Sequence, residues 1–190
     1  MSLPVITVEQ MHRWEAATWE TGKTEAEVIA QVGEIVARRA LELTQPGDSI
    51  LLLSGKGHNG DDVRAMAKHL QERDVSLLSI TDPAKTLSNL ATALEPRPAL
   101  VVDGLFGIGL NRVLDADWMQ VISQLNANRL RMLSVDVPSG VDAATGEIQG
   151  AAIRAEETLT LGAPKTGLLH SAAADYVGRL TVAPEIGLVP

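Results

Sequence analysis

Polar side chains suited to chemistry follow three apolar stretches of this sequence. Ser49–Leu53 leads into the glycine-rich turn GKGHNGDD, residues 55–62, which opens a helical pattern and so offers backbone N–H groups to a phosphate or nucleotide. Two later stretches lead into Asp103 with GLFGIGLNR, and into Asp136 with VPSGVDAATG. Because ligands of open α/β sheets bind outside the carboxyl ends of the strands, we expect these three turns to form one crevice.

The side chains of the three turns favour oxygen coordination and proton transfer. Asn59, Asp103 and Ser139 offer only oxygen ligands, which suit a hard cation and disfavour zinc. The four histidines show no paired metal-ligand spacing. Asp136 directly follows an apolar strand, which suits it to general acid–base catalysis, and Arg112 is positioned to meet an anionic ligand group.

The first turn also matches a different motif. GKGHNG fits G-x-G-x-x-G, and Asp82 follows roughly 20 residues later, as in the dinucleotide-binding fingerprint. A dehydrogenase that transfers hydride is therefore an open interpretation of this turn. A P-loop NTPase is excluded because no Lys-Ser/Thr pair follows the glycines, and the lack of a G-x-S-x-G elbow disfavours an α/β-hydrolase.

Alternating strands and helices are predicted around these turns. Two capping boxes, TVEQ and TEAE, predict two opening helices that end at Pro46–Gly47. Later helices are predicted over 62–71, from Asp82–Pro83, and from Asp115 to about residue 126. Strands are predicted at Ser49–Leu53, Val75–Ile80, Ala99–Val102, Met132–Val135, Thr158–Leu161 and Leu180–Val182. This alternation indicates one doubly wound α/β domain over 1–190, with a helical prelude (1–46) and a Rossmann-like core (47–190).

Composition excludes several classes of function. The formal net charge of −8 and the content of three Trp, one Tyr and one Phe argue against a nucleic-acid partner. No run approaches the ~18 apolar residues of a transmembrane helix, and the first residues do not resemble a secretion signal. The absence of cysteine excludes disulfides and thiolate metal sites and fits a cytoplasmic location.

Four segments together resemble the YjeF N-terminal domain family. SGKGHNGDDVRAMAKHL is similar to the family's G-x-G-N-N-G-G-D-G followed by a helix, and VDGLFGIGLNRVL resembles V-D-A-L-F-G-T-G-L-x-R. SVDVPSGVDAATGEIQGAAIRAEETLTLGAPKTGLL resembles its longest signature, and DYVGRLTVAPEIGLVP its final strand and C-terminus. The similarity covers residues 49–190, with a looser likeness in the first two helices.

The resemblance implies a fold, an activity and partners. The fold is a three-layer Rossmann-like domain, with a mostly parallel sheet and helices on both faces, and is commonly dimeric. The activity is that of an NAD(P)H-hydrate epimerase, an isomerase that interconverts the R and S epimers of hydrated NADH and NADPH in nicotinamide nucleotide repair. A separate dehydratase, specific for the S form, is the implied functional partner.

The resemblance also implies roles for individual residues. Asp136 matches the aspartate before x-P-S-G and is the implied catalytic acid and base, and Asn59, Asp103 and Ser139 are the implied ligands of a potassium ion. Substrate contacts are implied at His58, Asn59, Gly60, Asp61, Asp62, Gly107, Ile108, Gly109, Leu110, Asn111, Arg112, Val113 and Asp136.

The first turn departs from the family pattern at three positions. His58 replaces Asn, and Asp61 and Val63 replace Gly. The charge of Asp61, close to a helix N-terminus, is expected to compete with an anionic ligand for the same N–H groups. An alternative function therefore stays open, a non-catalytic ligand-binding or protein-interaction domain on the same fold.

Overall fold

The computed structural model, which describes residues 4–190, contains a six-stranded sheet with helices on both faces. All five neighbouring pairs of strands are parallel, and the strand order is β2-β1-β3-β4-β5-β6. The strands are β1 (Ser49–Ser54), β2 (Asp74–Ser79), β3 (Leu100–Gly104), β4 (Met132–Val135), β5 (Glu157–Leu161) and β6 (Arg179–Ala183). The predicted Rossmann-like α/β class is confirmed.

The helices divide between the two faces of the sheet. They are α1 (Val8–Glu20), α2 (Glu25–Glu42), α3 (His58–Met66), α4 (Pro83–Leu94), α5 (Ala116–Ala127) and α6 (Ala174–Val177). Side chains of α2 and α3 form one apolar cluster with Ile50 and Leu52 of β1. Side chains of α4 and α5 form a second cluster with Leu51 and Leu53 on the opposite face. Strand β1 has a continuous run of apolar residues because helices cover both of its faces.

The order of the strands places a topological switch point between β1 and β3. After β1 the chain crosses by α3 to β2 at one edge, whereas after β3 it crosses by α5 towards β6 at the other edge. Because the connections leave in opposite directions and on opposite faces, a crevice opens between the carboxyl ends of these two strands. Both capping boxes and the caps Asp82 and Asp115 form as predicted.

Helix α3 begins earlier than the sequence predicts. The sequence predicts a helix over 62–71, but α3 begins at His58, so that most of the glycine-rich turn is helical. Tertiary packing explains the difference. A Cβ atom added to Gly60 would lie 2.2 Å from the Gly55 carbonyl oxygen. A Cβ atom added to Gly55 would lie 2.0 Å from the Leu105 carbonyl oxygen, so both positions require glycine. The glycines permit the helix to start against the strand ends.

None of the helices within 4–190 is long and apolar enough to cross a membrane.

A buried carboxylate ties the amino-terminal end of β5 to α2 and β6. Glu157, only 1% exposed, accepts hydrogen bonds from Arg39 at 2.7 and 2.8 Å, from Thr181 at 2.7 Å, and from Arg179. Burial acts to raise the pKa of Glu157, but these hydrogen bonds prevail and lower the pKa to about 2.

We predict that Glu157→Gln lowers the free energy of unfolding by up to about 3 kcal/mol at neutral pH. A carboxyl whose pKa is lower in the folded state stabilises the fold above its ordinary pKa, and that contribution is lost as the pH falls from 4.5 towards 2. Urea unfolding of the wild type and the variant should therefore show a difference in the free energy of unfolding that becomes smaller as the pH falls.

Glu42→Gln is the matched control, because Glu42 also pairs with Arg39, at 2.5 Å, but is more than half exposed. Its expected cost is below ~1 kcal/mol. Equal losses in the two variants would contradict the role given to Glu157.

Candidate active site

A cavity of about 780 Å³ lies at the carboxyl ends of β1, β3 and β4. Its floor comes from the turns that follow these strands, and its outer wall from α1, α2 and the C-terminal segment. The apolar part of that wall consists of Met11, Trp19, Val28, Ile29, Val32, Ile186 and Leu188. A concave site of this size, with apolar walls and a few convergent polar groups, is typical of small-molecule binding.

Most of the residues implied as substrate contacts line this cavity. Those that line it are His58, Asn59, Asp62, Gly107, Ile108, Gly109, Leu110, Arg112 and Asp136. The other four, Gly60, Asp61, Asn111 and Val113, lie next to it in the chain. The carboxylate of Asp61 pairs with Arg64 at 2.6 Å, and Val113 is 68% exposed. Because Arg64 also donates to the Gly55 carbonyl, Asp61 is held at the side of α3.

Asp103 is fully buried at the end of β3 and accepts four hydrogen bonds. Oδ1 accepts from Ser139 Oγ at 2.5 Å and from the Leu105 amide at 3.2 Å, and Oδ2 from Ser134 Oγ at 2.8 Å and from the Ser139 amide at 2.9 Å. Burial raises the pKa of Asp103, although these hydrogen bonds act in the opposite direction. Within the described chain no Lys, Arg or His forms an ion pair with it.

Asn59 continues this network towards α3. Its Nδ2 donates to the Phe106 carbonyl at 2.7 Å, which fixes the orientation of the amide. Its Oδ1 is buried and accepts no hydrogen bond from residues 4–190. The Phe106 amide in turn donates to Ser139 Oγ at 2.9 Å. The three residues implied as cation ligands therefore meet through Phe106.

Asp136 lies in the turn that follows β4, in a backbone conformation that is rare for a residue other than glycine. Its φ is +64°, and such outliers persist where surrounding contacts hold them, often at functional sites. Oδ1 accepts hydrogen bonds from the Leu161 amide at 2.9 Å, Thr160 Oγ1 at 3.2 Å and Lys165 Nζ. No donor from the described residues reaches Oδ2, which leaves that oxygen for a ligand.

Lys165 is a candidate site residue that the sequence pattern does not indicate. It is completely buried, and besides its ion pair with Asp136 it donates to the Leu161 carbonyl at 2.7 Å. A lysine in an exposed-looking loop, GAPKTG, gives no sign of burial in the sequence. The one signal in the sequence is its position shortly after β5, a strand whose carboxyl end lies at the same edge of the sheet as the crevice.

Asp62 is, like Asp136, a buried carboxyl group that lines the cavity, but it differs from Asp136 in its surroundings. It is 7% exposed, and no described residue donates a hydrogen bond to it or pairs with it. Burial raises the pKa of Asp62 to about 8, with smaller contributions from the charges of Asp136 and Asp61.

Asp82, the acidic residue of the dinucleotide fingerprint, caps a helix in this fold. Asp82 accepts a hydrogen bond from the Lys85 amide as the N-cap of α4, and it pairs with Lys85 Nζ at 2.8 Å. Its carboxylate is thus engaged by its own helix, which weakens the dehydrogenase interpretation.

Comparisons with known proteins identify the family of this chain. The model of the family described as "YjeF-related protein N-terminus" matches residues 78–167. An NAD(P)H-hydrate epimerase of Limosilactobacillus fermentum is 31% identical, over 98% of this chain and 99% of its own length. One of Achromobacter xylosoxidans is 36% identical, over 87% of this chain and 86% of its own. The chain belongs to the YjeF N-terminal domain family.

A solved structure shows the same fold. The crystal structure of the yeast protein YNL200c has a TM-score of 0.71 and 20% identity, and it covers 87% of this chain and 83% of its own. The part of this YjeF-type chain that the family model leaves unmatched includes the glycine-rich turn, where His58, Asp61 and Val63 depart from the family pattern.

The implied potassium ligands of this YjeF-type domain fit a hard cation. Asn59 Oδ1 has a free acceptor site in a buried place, and an acceptor left unpaired there costs about 1–3 kcal/mol. No cation among the described residues pairs with Asp103, and a bound cation would favour the charged form of this carboxyl group. Both oxygens of Asp103 already accept two hydrogen bonds, so its contribution to a cation would come chiefly from its charge.

We predict that Asp62→Asn stabilises the protein progressively as the pH rises. Because the folded state keeps the Asp62 proton up to a pH of about 8, the wild type loses stability as the pH rises from about 4 through 8. The asparagine variant lacks this loss. Its free energy of unfolding should therefore exceed that of the wild type by more than ~1 kcal/mol at pH 8.5, and the difference should nearly vanish at pH 4. Urea unfolding across this range measures the difference, and a pH-independent difference would show that Asp62 ionises normally.

Proposed function

We propose that this protein is an NAD(P)H-hydrate epimerase, an isomerase of nicotinamide nucleotide repair. Relatives of that name are similar over almost the whole chain. The observation that carries the proposal is Asp136, held by the buried Lys165 in the wall of a cavity large enough for a dinucleotide, with one carboxylate oxygen free.

The reaction requires a hydroxyl group to leave one face of a ring and return on the other. In hydrated NADH or NADPH, the hydroxyl-bearing carbon C6 is bonded to the ring nitrogen. Protonation of the hydroxyl lets the C–O bond break and water depart, while the nitrogen lone pair forms a C=N bond. Water then adds to the opposite face and loses a proton. No oxidant or reductant is needed, and atoms and charge balance.

Asp136 is suited to move these protons. The hydrogen bonds to Oδ1 fix the carboxylate, and Lys165 balances its charge in a place that excludes most water. Oδ2 is thus preorganised to take a proton from an incoming water and to return it to a departing hydroxyl. A positioned acid or base of this kind contributes typically about 10²–10⁴-fold to the rate.

The rest of the cavity fits an anionic dinucleotide. Lys56, Arg112 and His12 lie around its lining and offer charge or hydrogen bonds to phosphate oxygens, although the chain as a whole is acidic. The apolar wall formed by α1, α2 and the C-terminal segment offers a surface for an aromatic base.

We further propose that Asn59, Asp103 and Ser139 hold a potassium ion. The unpaired Asn59 Oδ1 and the lack of any ion pair to the buried Asp103 within the described residues support this assignment. Such an ion would lend positive charge to the crevice and fix the turns that carry the substrate-binding residues.

A dehydratase is the proposed functional partner. It would consume the S epimer that this enzyme supplies. The support is a relative from Dictyoglomus turgidum named as a bifunctional NAD(P)H-hydrate repair enzyme, 36% identical over 70% of this chain and 30% of its own length. We place the activity in the cytoplasm, which suits a protein without cysteine.

The altered glycine-rich turn favours a second candidate, a non-catalytic domain on this fold. His58 Nε2 contacts Glu25 at 2.9 Å beside the cavity, a link between α3 and α2 made by one of the three departing residues. Asp61, however, pairs with Arg64, and Val63 is buried in the apolar cluster. Asp61 and Val63 therefore differ from the family pattern without blocking the cavity, and the epimerase is the better supported function.

We predict that the wild-type protein converts the purified R hydrate of NADH to the S hydrate, and that Asp136→Asn slows this at least about 100-fold. Asparagine tolerates a positive φ, so the backbone of the turn should persist. Chromatography that resolves the two epimers measures the rate. Asp115→Asn is the control, because asparagine caps a helix as well as aspartate. Wild-type protein that is folded but inactive would favour the non-catalytic candidate.

We predict that Asn59→Ala raises the potassium concentration for half-maximal activity about tenfold or more, because it removes the free Oδ1 ligand. Ser134→Ala is the comparison, since it removes a hydrogen bond to Asp103 but no proposed ligand. An equal change in both variants, or a wild-type rate independent of potassium, would contradict the assignment.

A further inference from the structure

The buried carboxyl group of Asp62 lines the same cavity as that of Asp136. Asp62 belongs to α3, which follows β1, whereas Asp136 follows β4. Strand β3 lies between β1 and β4 in the sheet. The two side chains therefore come from different parts of the fold, and both line the cavity.

The two carboxyl groups have opposite surroundings. Asp136 accepts hydrogen bonds from an ammonium group, an amide and a hydroxyl. Asp62 is equally buried, yet no donor or cation from the described chain contacts it. Two carboxyl groups that line one cavity in such different surroundings are suited to act as an acid and base pair.

Epimerisation by departure and return of water makes use of such a pair. The hydroxyl leaves one face of the ring and needs a proton there, while the new water arrives on the opposite face and must lose a proton there. A single carboxyl would have to serve both faces. Two carboxyl groups on opposite sides can each serve one face.

We propose that Asp62 is a second catalytic residue, the partner of Asp136 on the opposite face of the substrate ring. This inference rests on the proposed epimerase function. In one direction Asp62 gives its proton to the departing hydroxyl as the C–O bond breaks, and Asp136 takes a proton from the water that adds. In the other direction the two exchange roles, and proton exchange with solvent restores the starting state.

The charged groups around Asp62 agree with this role. The charges that act on it come from Asp136 across the cavity and from its neighbour Asp61, and together with burial they place its pKa at about 8. Arg64 faces Asp61, and Lys165 faces Asp136. Lys56, His58 and Glu25 also line the cavity, but no ion pair joins any of them to Asp62 in the described structure.

The test is a pH profile of epimerisation, measured from the purified R hydrate by chromatography between about pH 6 and pH 9.5, with the uncatalysed rate subtracted. The wild-type kcat/KM should fall above about pH 8, where Asp62 loses its proton. Asp62→Asn should lower kcat at least about 100-fold with little change in KM, and the residual activity should lack this alkaline fall. Because this variant is expected to be the more stable protein at alkaline pH, unfolding would not explain the loss.

Asp61→Asn is the matched variant, since it removes the same charge one residue away. It should keep the alkaline fall but shift it to lower pH, because the charge of Asp61 raises the pKa of Asp62. An active wild type together with an Asp62→Asn enzyme that keeps more than about a third of kcat, or keeps the same alkaline fall, would overturn this inference alone. A wild type without activity would overturn the epimerase proposal and this inference with it.

Discussion

The four hydrogen bonds that Asp103 accepts hold together the turns on which the cavity depends. Through Ser139 and Ser134 they connect the end of β3 to β4 and its following turn, and through Phe106 and Asn59 the network reaches the start of α3. A buried carboxylate is costly, and here it is tolerated because every lone pair is used. Asp136 and the glycine-rich turn thus keep fixed positions relative to each other.

Three aspartates around the carboxyl ends of β1, β3 and β4 differ in function because their surroundings differ. Hydrogen bonds from two turns and from β4 make Asp103 a structural centre. The ion pair with Lys165 fixes the Asp136 side chain. Asp62 has no hydrogen-bond or ion-pair partner among residues 4–190, and its burial raises its pKa to about 8. An acid and a base can therefore act in one crevice on one substrate.

The sequence predicts the order and type of the main helices and strands because turns, caps and apolar runs are local signals. It predicts the meeting of Asp103, Asp136 and the glycine-rich turn because parallel strands end at one edge. Burial depends on contacts between residues that are distant in the sequence, so the features that depend on it could not be predicted. The start of α3 depends on backbone packing of Gly55 and Gly60, and Lys165 and Asp62 owe their properties to neighbours distant in the chain.

The role given to Asp62 requires that this carboxyl group keeps its proton at neutral pH. The most direct measurement is the ¹³C NMR titration of the aspartate side-chain carboxyl carbons, with the Asp62 signal assigned by its absence from Asp62→Asn. We expect a midpoint at a pH of about 8 for that signal. A midpoint near 4, the range of an ordinary aspartate, would contradict it.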